Sequence, residues 1–301
     1  MNHPWRVRTA WLLAASLLTI FAAQPARAQS TKAVAKKPAV ATCDRANFRI
    51  ILDVGHSEEV PGAMSARGQP EYSYNLALTQ KIHAKLQQAG FSKAHLLITP
   101  GKAIAGLVSR VNYASHNPGD LFLAIHHDAV PDSFLQKWSF EGKGRFYCDR
   151  FKGHSIFVSQ HNNEYKESLQ FGRLLGMQLK AKGLQYASHY TEKFMGRRQR
   201  QLVDADAGVY RFDNLVVLMS TNMPAVLFEA GSIINRDEEL LMGSSEHQDT
   251  LASAVTTAVE NFCQMQAPRK IEQRIARRQH EAATSPASSS VFPMLFNGSQ
   301  Q

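Results

Sequence analysis

Apolar and polar positions fall along this chain in blocks of two kinds. Short runs that are apolar almost throughout end on a polar residue: Phe48–Val54 leads into Gly55-His56, Leu121–Ile125 into His126, and Ala225–Phe228 into Glu229. Such runs suit strands buried on both faces that deliver a side chain at the carboxyl end. Between them lie stretches with helical spacing. Leu76, Ile82, Leu86 and Ala89 recur across Tyr72–Ala89 and stop at Gly90, a favoured helix end. Ile104–His116, Glu164–Ala181 and Glu246–Cys263 read as further helices, and His95–Thr99, Ser155–Ser159 and Leu215–Ser220 as further strands. This alternation predicts an α/β fold: an open, mostly parallel sheet with helices on both faces and its site at the carboxyl ends of the strands. Two stretches, Ala129–His154 and Gly183–Asn214 with its cluster Arg197, Arg198 and Arg200, match neither period.

The ends differ from the middle. Residues 1–28 carry Arg6 and Arg8, an apolar run from Ala10 to Ala23, and the small-x-small sequence Ala26-Arg27-Ala28, which reads as a secretory signal peptide. That run is shorter than the roughly 20 residues of a membrane span, so no stable membrane insertion is expected of the mature chain. Residues 29–42 read as a flexible linker, residues 43–264 as one catalytic-sized domain, and residues 265–301 as a basic, Ser/Ala-rich disordered tail with room for a helix over Ile271–His280. The net charge of +9 divides as +3 on each of residues 1–28, 29–42 and 265–301. The domain is therefore balanced, which disfavours a nucleic-acid-binding face. Three cysteines in an oxidising compartment allow one internal disulfide. Cys43 opens the domain and Cys263 closes it, and since domain termini often lie close together, they are the expected pair.

Two histidines and a glutamate at the ends of apolar runs are the residue types that hold a catalytic zinc with one position left for water. No His-Glu-x-x-His pair is present, and residue type alone does not choose among twelve histidines. His83, His95, His116, His161, His189 and His247 read as surface or packing residues, as do His127, Asp128 and His154, with a supporting role at the site as the alternative for the last three.

Four boxes, in order, resemble the zinc-dependent N-acetylmuramoyl-L-alanine amidases with a phosphorylase/hydrolase-like fold. They are Ile51–His56 with Pro61-Gly62-Ala63; Gly68-Gln69-Pro70-Glu71 with Asn75; Ser109-Arg110, Ala114 and Asp120–His126; and Met223–Gly231 with Asn235. The resemblance implies that His56, Glu71 and His126 bind one zinc ion and that Glu229 is catalytic. It implies a periplasmic cell-wall hydrolase that uses zinc-activated water to cut the amide between N-acetylmuramic acid and the L-alanine of the stem peptide. Peptidoglycan is then the partner, with an activator protein as a second partner and a monomer as the working form. The alternatives are a zinc peptidase acting on stem peptides or cross-links, and a catalytically silent wall-binding regulator.

The chain departs from the family pattern where His56 is followed by Ser57-Glu58-Glu59, where His126 is followed by His127-Asp128, and where Ser232-Ile233-Ile234 replaces a Phe-led run. The second departure leaves His127 as a rival ligand. Strand alternation sends neighbours to opposite faces, so one of the two binds, and the alignment favours His126. The unassigned stretches follow His126 and precede Glu229, so both are expected to flank the site, one of them gating it.

Overall fold

The structure, a computed structural model, describes residues 42–284. In chain order the elements are β1 (Ile50–Val54), α1 (Glu71–Gln88), β2 (Ala94–Leu97), α2 (Ala103–His116), β3 (Leu121–Asp128), β4 (Gln136–Phe140), β5 (Lys143–Tyr147), β6 (Ser155–Val158), α3 (Tyr165–Ala181), β7 (Gln201–Asp204), β8 (Val209–Arg211), α4 (Val216–Ser220), β9 (Ala225–Ser232), α5 (Arg236–Gly243) and α6 (Ser245–Thr284). Seven strands form one sheet in the order β2-β1-β3-β9-β6-β8-β7, and β4 and β5 form a separate hairpin. Strands β2, β1, β3 and β9 run parallel, while β6 is antiparallel to β9 and β7 to β8. The sheet is therefore mixed but mostly parallel, as the alternation of elements predicts.

Both faces of the sheet are covered, which is why the strand runs are continuously apolar. Leu78, Ile82, Leu86, Phe171, Leu175, Val255 and Phe262 fill one side under α1, α3 and α6. Ile51, Phe122, Ala124, Val217, Leu218 and Leu227 fill the other, with Leu107 and Val111 of α2 against them. Cys43 and Cys263 are joined by a disulfide with Cα atoms 5.2 Å apart, tying the first described residues to α6; Cys148 is the free, buried cysteine.

Two expectations are corrected and one helix is added. Leu215–Ser220 is not a strand: Val217 and Leu218 are both buried on the same core, which neighbouring residues of a helix achieve and those of a strand do not. Asn162 donates to the carbonyls of Leu218 within that short helix and of Thr221 and Met223 after it. Helix α5 went unread between a strand and a helix; the Asn235 side chain caps it by accepting from the N–H groups of Asp237 and Glu238. Finally, α6 does not stop near residue 264. It runs through Pro268 to Thr284, because Ala267 is buried, Arg269 reaches Glu164 at 3.0 Å, and Lys270 reaches Asp120 at 2.7 Å. The signal-peptide reading, nearly all of the linker and the tail beyond 284 lie outside the described residues. Among the described residues no helix is long and apolar enough to cross a membrane.

Candidate metal centre

Three adjacent strands at the middle of the sheet bring the site together. His56 follows β1, His126 lies near the end of β3, and Glu229 sits opposite His126 in the β3–β9 register. Glu71 arrives from another direction, as the first residue of α1, where the helix N-terminus favours a carboxylate. One donor atom from each of His56, Glu71 and His126 lies within 4.8 Å of the others. Glu71 Oε2 is 3.0 Å from His56 Nε2, and Glu71 Oε1 is 3.0 Å from His126 Nδ1. Two imidazoles and a carboxylate converging at this spacing fit a catalytic zinc site, with a side open to water.

Each donor is held from behind. His56 has a left-handed backbone, φ 68°, a strained conformation for a residue with a Cβ. Arg110 fixes it: its guanidinium donates to the carbonyls of His56 at 2.6 Å and Val54 at 3.0 Å, and its Nε donates to Asp53 at 2.8 Å. Burial pushes the Asp53 carboxyl up to about 6, with Arg110 pulling the other way. Glu71 accepts from Ala63 N at 3.1 Å and from Asn75 Nδ2 at 3.2 Å. Burial works to raise the Glu71 pKa, yet the hydrogen bonds from His126 and His56 carry it well below the ordinary carboxylate range, so it is ionised. Gly62, at φ 80°, passes so close that a Cβ there would stand 2.5 Å from Glu71 Oε2 and 2.7 Å from the His56 ring. The family-like glycine in the turn is thus a requirement of close approach.

His127 is not one of these donors. Its ring is buried and its Nδ1 is 2.8 Å from Asn75 Oδ1, so it donates to the amide whose other end donates to Glu71 and, at 3.1 Å, to Gly55 O. Burial drives the His127 pKa down to about 3, which keeps it neutral. Asn75, one turn after Glu71, is the hub of this support. Neither Glu58 nor Glu59 joins the donors: both are exposed, and Glu59 accepts from Gly101 N while Ser57 donates to Gly101 O.

Glu229 is partly buried, and its Oε2 has no hydrogen-bond partner among the described residues. Burial first, then the charges of Asp128 and Glu71, raise its pKa well above the ordinary value. A carboxyl with a buried, unpaired oxygen and a raised pKa is suited to take and return a proton. Beside it, Asp128 is buried and accepts from the Tyr190 hydroxyl at 2.5 Å and from Arg198 at 3.3 Å. Sequence reading gave neither Tyr190 nor Arg198 a role; both lie in the unassigned stretch 183–214, and only the arginine cluster marked it. The other stretch forms the β4–β5 hairpin, which packs on the loop before Glu71 through Trp138 Nε1 donating to Ala66 O at 3.0 Å. His154 is buried, and its Nε2 has no hydrogen-bond partner among the described residues; it stands one residue before Ser155, which pairs with Glu229 across β6 and β9.

Residues 50–261 match a family model described as N-acetylmuramoyl-L-alanine amidase. N-acetylmuramoyl-L-alanine amidase AmiA of Escherichia coli is 24% identical over 230 residues, covering 71% of this chain and 75% of that protein. Among solved structures, the amidase Ami1 of Mycobacterium smegmatis superposes with a TM-score of 0.54 at 19% identity, over 72% of this chain and 97% of its own. CwlD of Clostridioides difficile, solved in complex with the GerS lipoprotein, gives 0.52 at 21% identity over 72% and 98%.

Proposed function

The chain belongs to the N-acetylmuramoyl-L-alanine amidase family, and from that premise we propose that it frees stem peptides from peptidoglycan with one zinc ion held by His56, Glu71 and His126 and with Glu229 as proton carrier. It is a peptidoglycan amidase, a hydrolase; the identity of the metal and the roles of these four residues are our reading. The observation that carries it is the convergence of three metal-type donors within 4.8 Å, with Glu229 in register beside His126.

Zinc bound there would polarise the scissile carbonyl and acidify the attacking water. The chain's own groups do the rest. Arg110 and Asn75 keep His56 and Glu71 aimed; Glu229 takes a proton from water at its carboxylate and delivers it to the departing amine nitrogen of L-alanine. The raised pKa of Glu229 suits it to hold that proton between the two transfers.

The signal-peptide reading makes this a periplasmic enzyme, and we take the monomer as its working form. An activator protein is proposed by analogy with CwlD, whose structure contains a lipoprotein partner. Zinc-loaded protein incubated with purified sacculi is expected to release intact stem peptides starting at L-alanine, identified by mass. Shortened peptides still attached to muramic acid would support the peptidase instead, and no chelator-sensitive product at all would support the silent regulator.

A further inference from the structure

Glu229 gives the site two unlike sides. The group it protonates is the departing amine, so the peptide half of the substrate lies on its side and the lactyl and sugar half lies away from it. A cavity of about 220 Å³ that Glu229 does not line opens against His56 and His126, with Leu107, Leu215, Val217 and Leu227 in its wall. That wall is mostly apolar, with Asp53, Lys102 and Arg110 also reaching it, and it includes neither Glu229 nor Asp128. On the Glu229 side the wall is charged. Arg198 stands there with its side chain 40% exposed, next to an Asp128 that is 5% exposed.

Arg198 is held rather than consumed. Asp128 receives it at Oδ1 and the Tyr190 hydroxyl at Oδ2, so the carboxylate orients the guanidinium from beneath. Asp128 is the one acceptor the Arg198 head meets among the described residues, through a single nitrogen. A guanidinium carries five N–H donors in a planar fork that matches a carboxylate. The remaining donors are exposed on the peptide side of the site. Arg197 is exposed beyond it, and Arg200 is turned away, stacked on Phe212 and donating to the carbonyls of Arg197 and Gln199.

A stem peptide offers a matching group at that place. Its second residue is a D-glutamate joined onward through its side-chain carboxyl, which leaves its α-carboxyl free as a carboxylate or capped as an amide. That carboxyl lies one residue beyond the bond being cut. We propose that Arg198 is a specificity residue that pairs with the free α-carboxylate of the D-glutamate following L-alanine, with Asp128 and Tyr190 as its positioning residues. The proposal rests on the amidase reading and adds a preference for unamidated over amidated wall.

The test uses two muropeptides identical except that this α-carboxyl is free in one and a carboxamide in the other. Zinc-loaded wild type is expected to cleave the acid with kcat/KM at least about tenfold above the amide, the scale of a charge-assisted, partly exposed bond. Arg198→Gln should lower kcat/KM on the acid by about tenfold, chiefly through KM, and leave the amide within about threefold; Arg198→Lys should fall between. Equal cleavage of the two substrates by wild type, or an equal loss on both in Arg198→Gln, overturns the proposal. A binding arm needs no turnover: the L-alanyl-γ-D-glutamyl peptide and its α-amide are titrated into chelator-stripped protein by calorimetry. Tighter binding of the acid by wild type, with the difference gone in Arg198→Gln, supports the pairing; equal binding overturns it. If wild type cuts neither muropeptide, the amidase reading fails, while the binding arm still decides whether Arg198 reads the carboxylate. Should Arg198→Gln unfold, the Arg198→Lys variant, which keeps the charge and loses the fork, carries both arms, and full retention of the acid preference in it counts against bidentate pairing.

Discussion

Replacing Gly55 by alanine isolates the geometry of the metal donors from the stability of the fold. Gly55 joins β1 to His56, and its backbone is not left-handed, so alanine costs nothing in φ. A Cβ there would stand 2.5 Å from Cε1 and Nε2 of His126 and 2.7 Å from its Cδ2. Ordinary contact begins at 3.4 Å, so the His126 ring must retreat by about 0.9 Å. Metal–ligand distances are held to within about 0.2 Å, so the shift is several times what the site tolerates. Zinc affinity should fall by at least about 100-fold, or about 2.7 kcal/mol. The fold should suffer less, by about 1–3 kcal/mol, the usual cost of overpacking, because the ring is 19% exposed and has room to swing outward. Competition with a chromogenic chelator gives the affinity, and urea unfolding of the metal-stripped protein gives the stability. Gly144→Ala is the control, since nothing lies within 4 Å of a Cβ there. Zinc binding by Gly55→Ala within threefold of wild type would refute His126 as a ligand in this geometry.

Other outcomes follow from the same contacts. Glu229→Gln should keep zinc affinity within about threefold while kcat drops by about 10²–10⁴, read from metal titration beside peptide release; a parallel loss of metal would make Glu229 a ligand. Replacing Cys43 and Cys263 together by serine opens a link across 220 residues of sequence and should cost about 5 kcal/mol of unfolding free energy in the chain-entropy model, measured by urea denaturation against the oxidised wild type. Burial holds His127 neutral in the fold, with a pKa of about 3, whereas the unfolded chain binds the proton near 6.5. The unfolded state therefore binds more protons between those values, and the stability present above pH 6.5 is lost as the pH falls toward 3. At pH 5 the loss from this residue is about 2 kcal/mol. His127→Gln, metal-stripped, should show that much less destabilisation between pH 7 and pH 5, and an unchanged pH slope would remove His127 from the account.

What was legible in the sequence was local. Runs such as Leu121–Ile125 declare a buried strand because a strand covered on both faces has no polar positions to spend, and the residue at its end is then displayed at the sheet's edge. Where a segment's form depends on what lies under it, local pattern misleads. Leu215–Ser220 has a strand's composition, yet Val217 and Leu218 share one core, which only a helical turn permits. Residues 265–284 have a tail's composition, yet Glu164, Glu167 and Asp120 on distant elements pair with Arg269 and Lys270 and keep the helix going.

Apolar runs and helical spacing suffice for the fold class and for the strand ends that carry His56, His126 and Glu229, and four ordered boxes supply the likeness that adds Glu71. How these residues are arranged comes from long-range packing. It turned His126 rather than His127 toward Glu71, because Asn75 captures the His127 ring from α1. It bent His56 into a left-handed conformation that Arg110, 54 residues away, holds in place. It set Asp128, Tyr190 and Arg198 beside Glu229. These are contacts between elements far apart in the chain, and periodicity, which reports only a residue's relation to its near neighbours, carries no information about them.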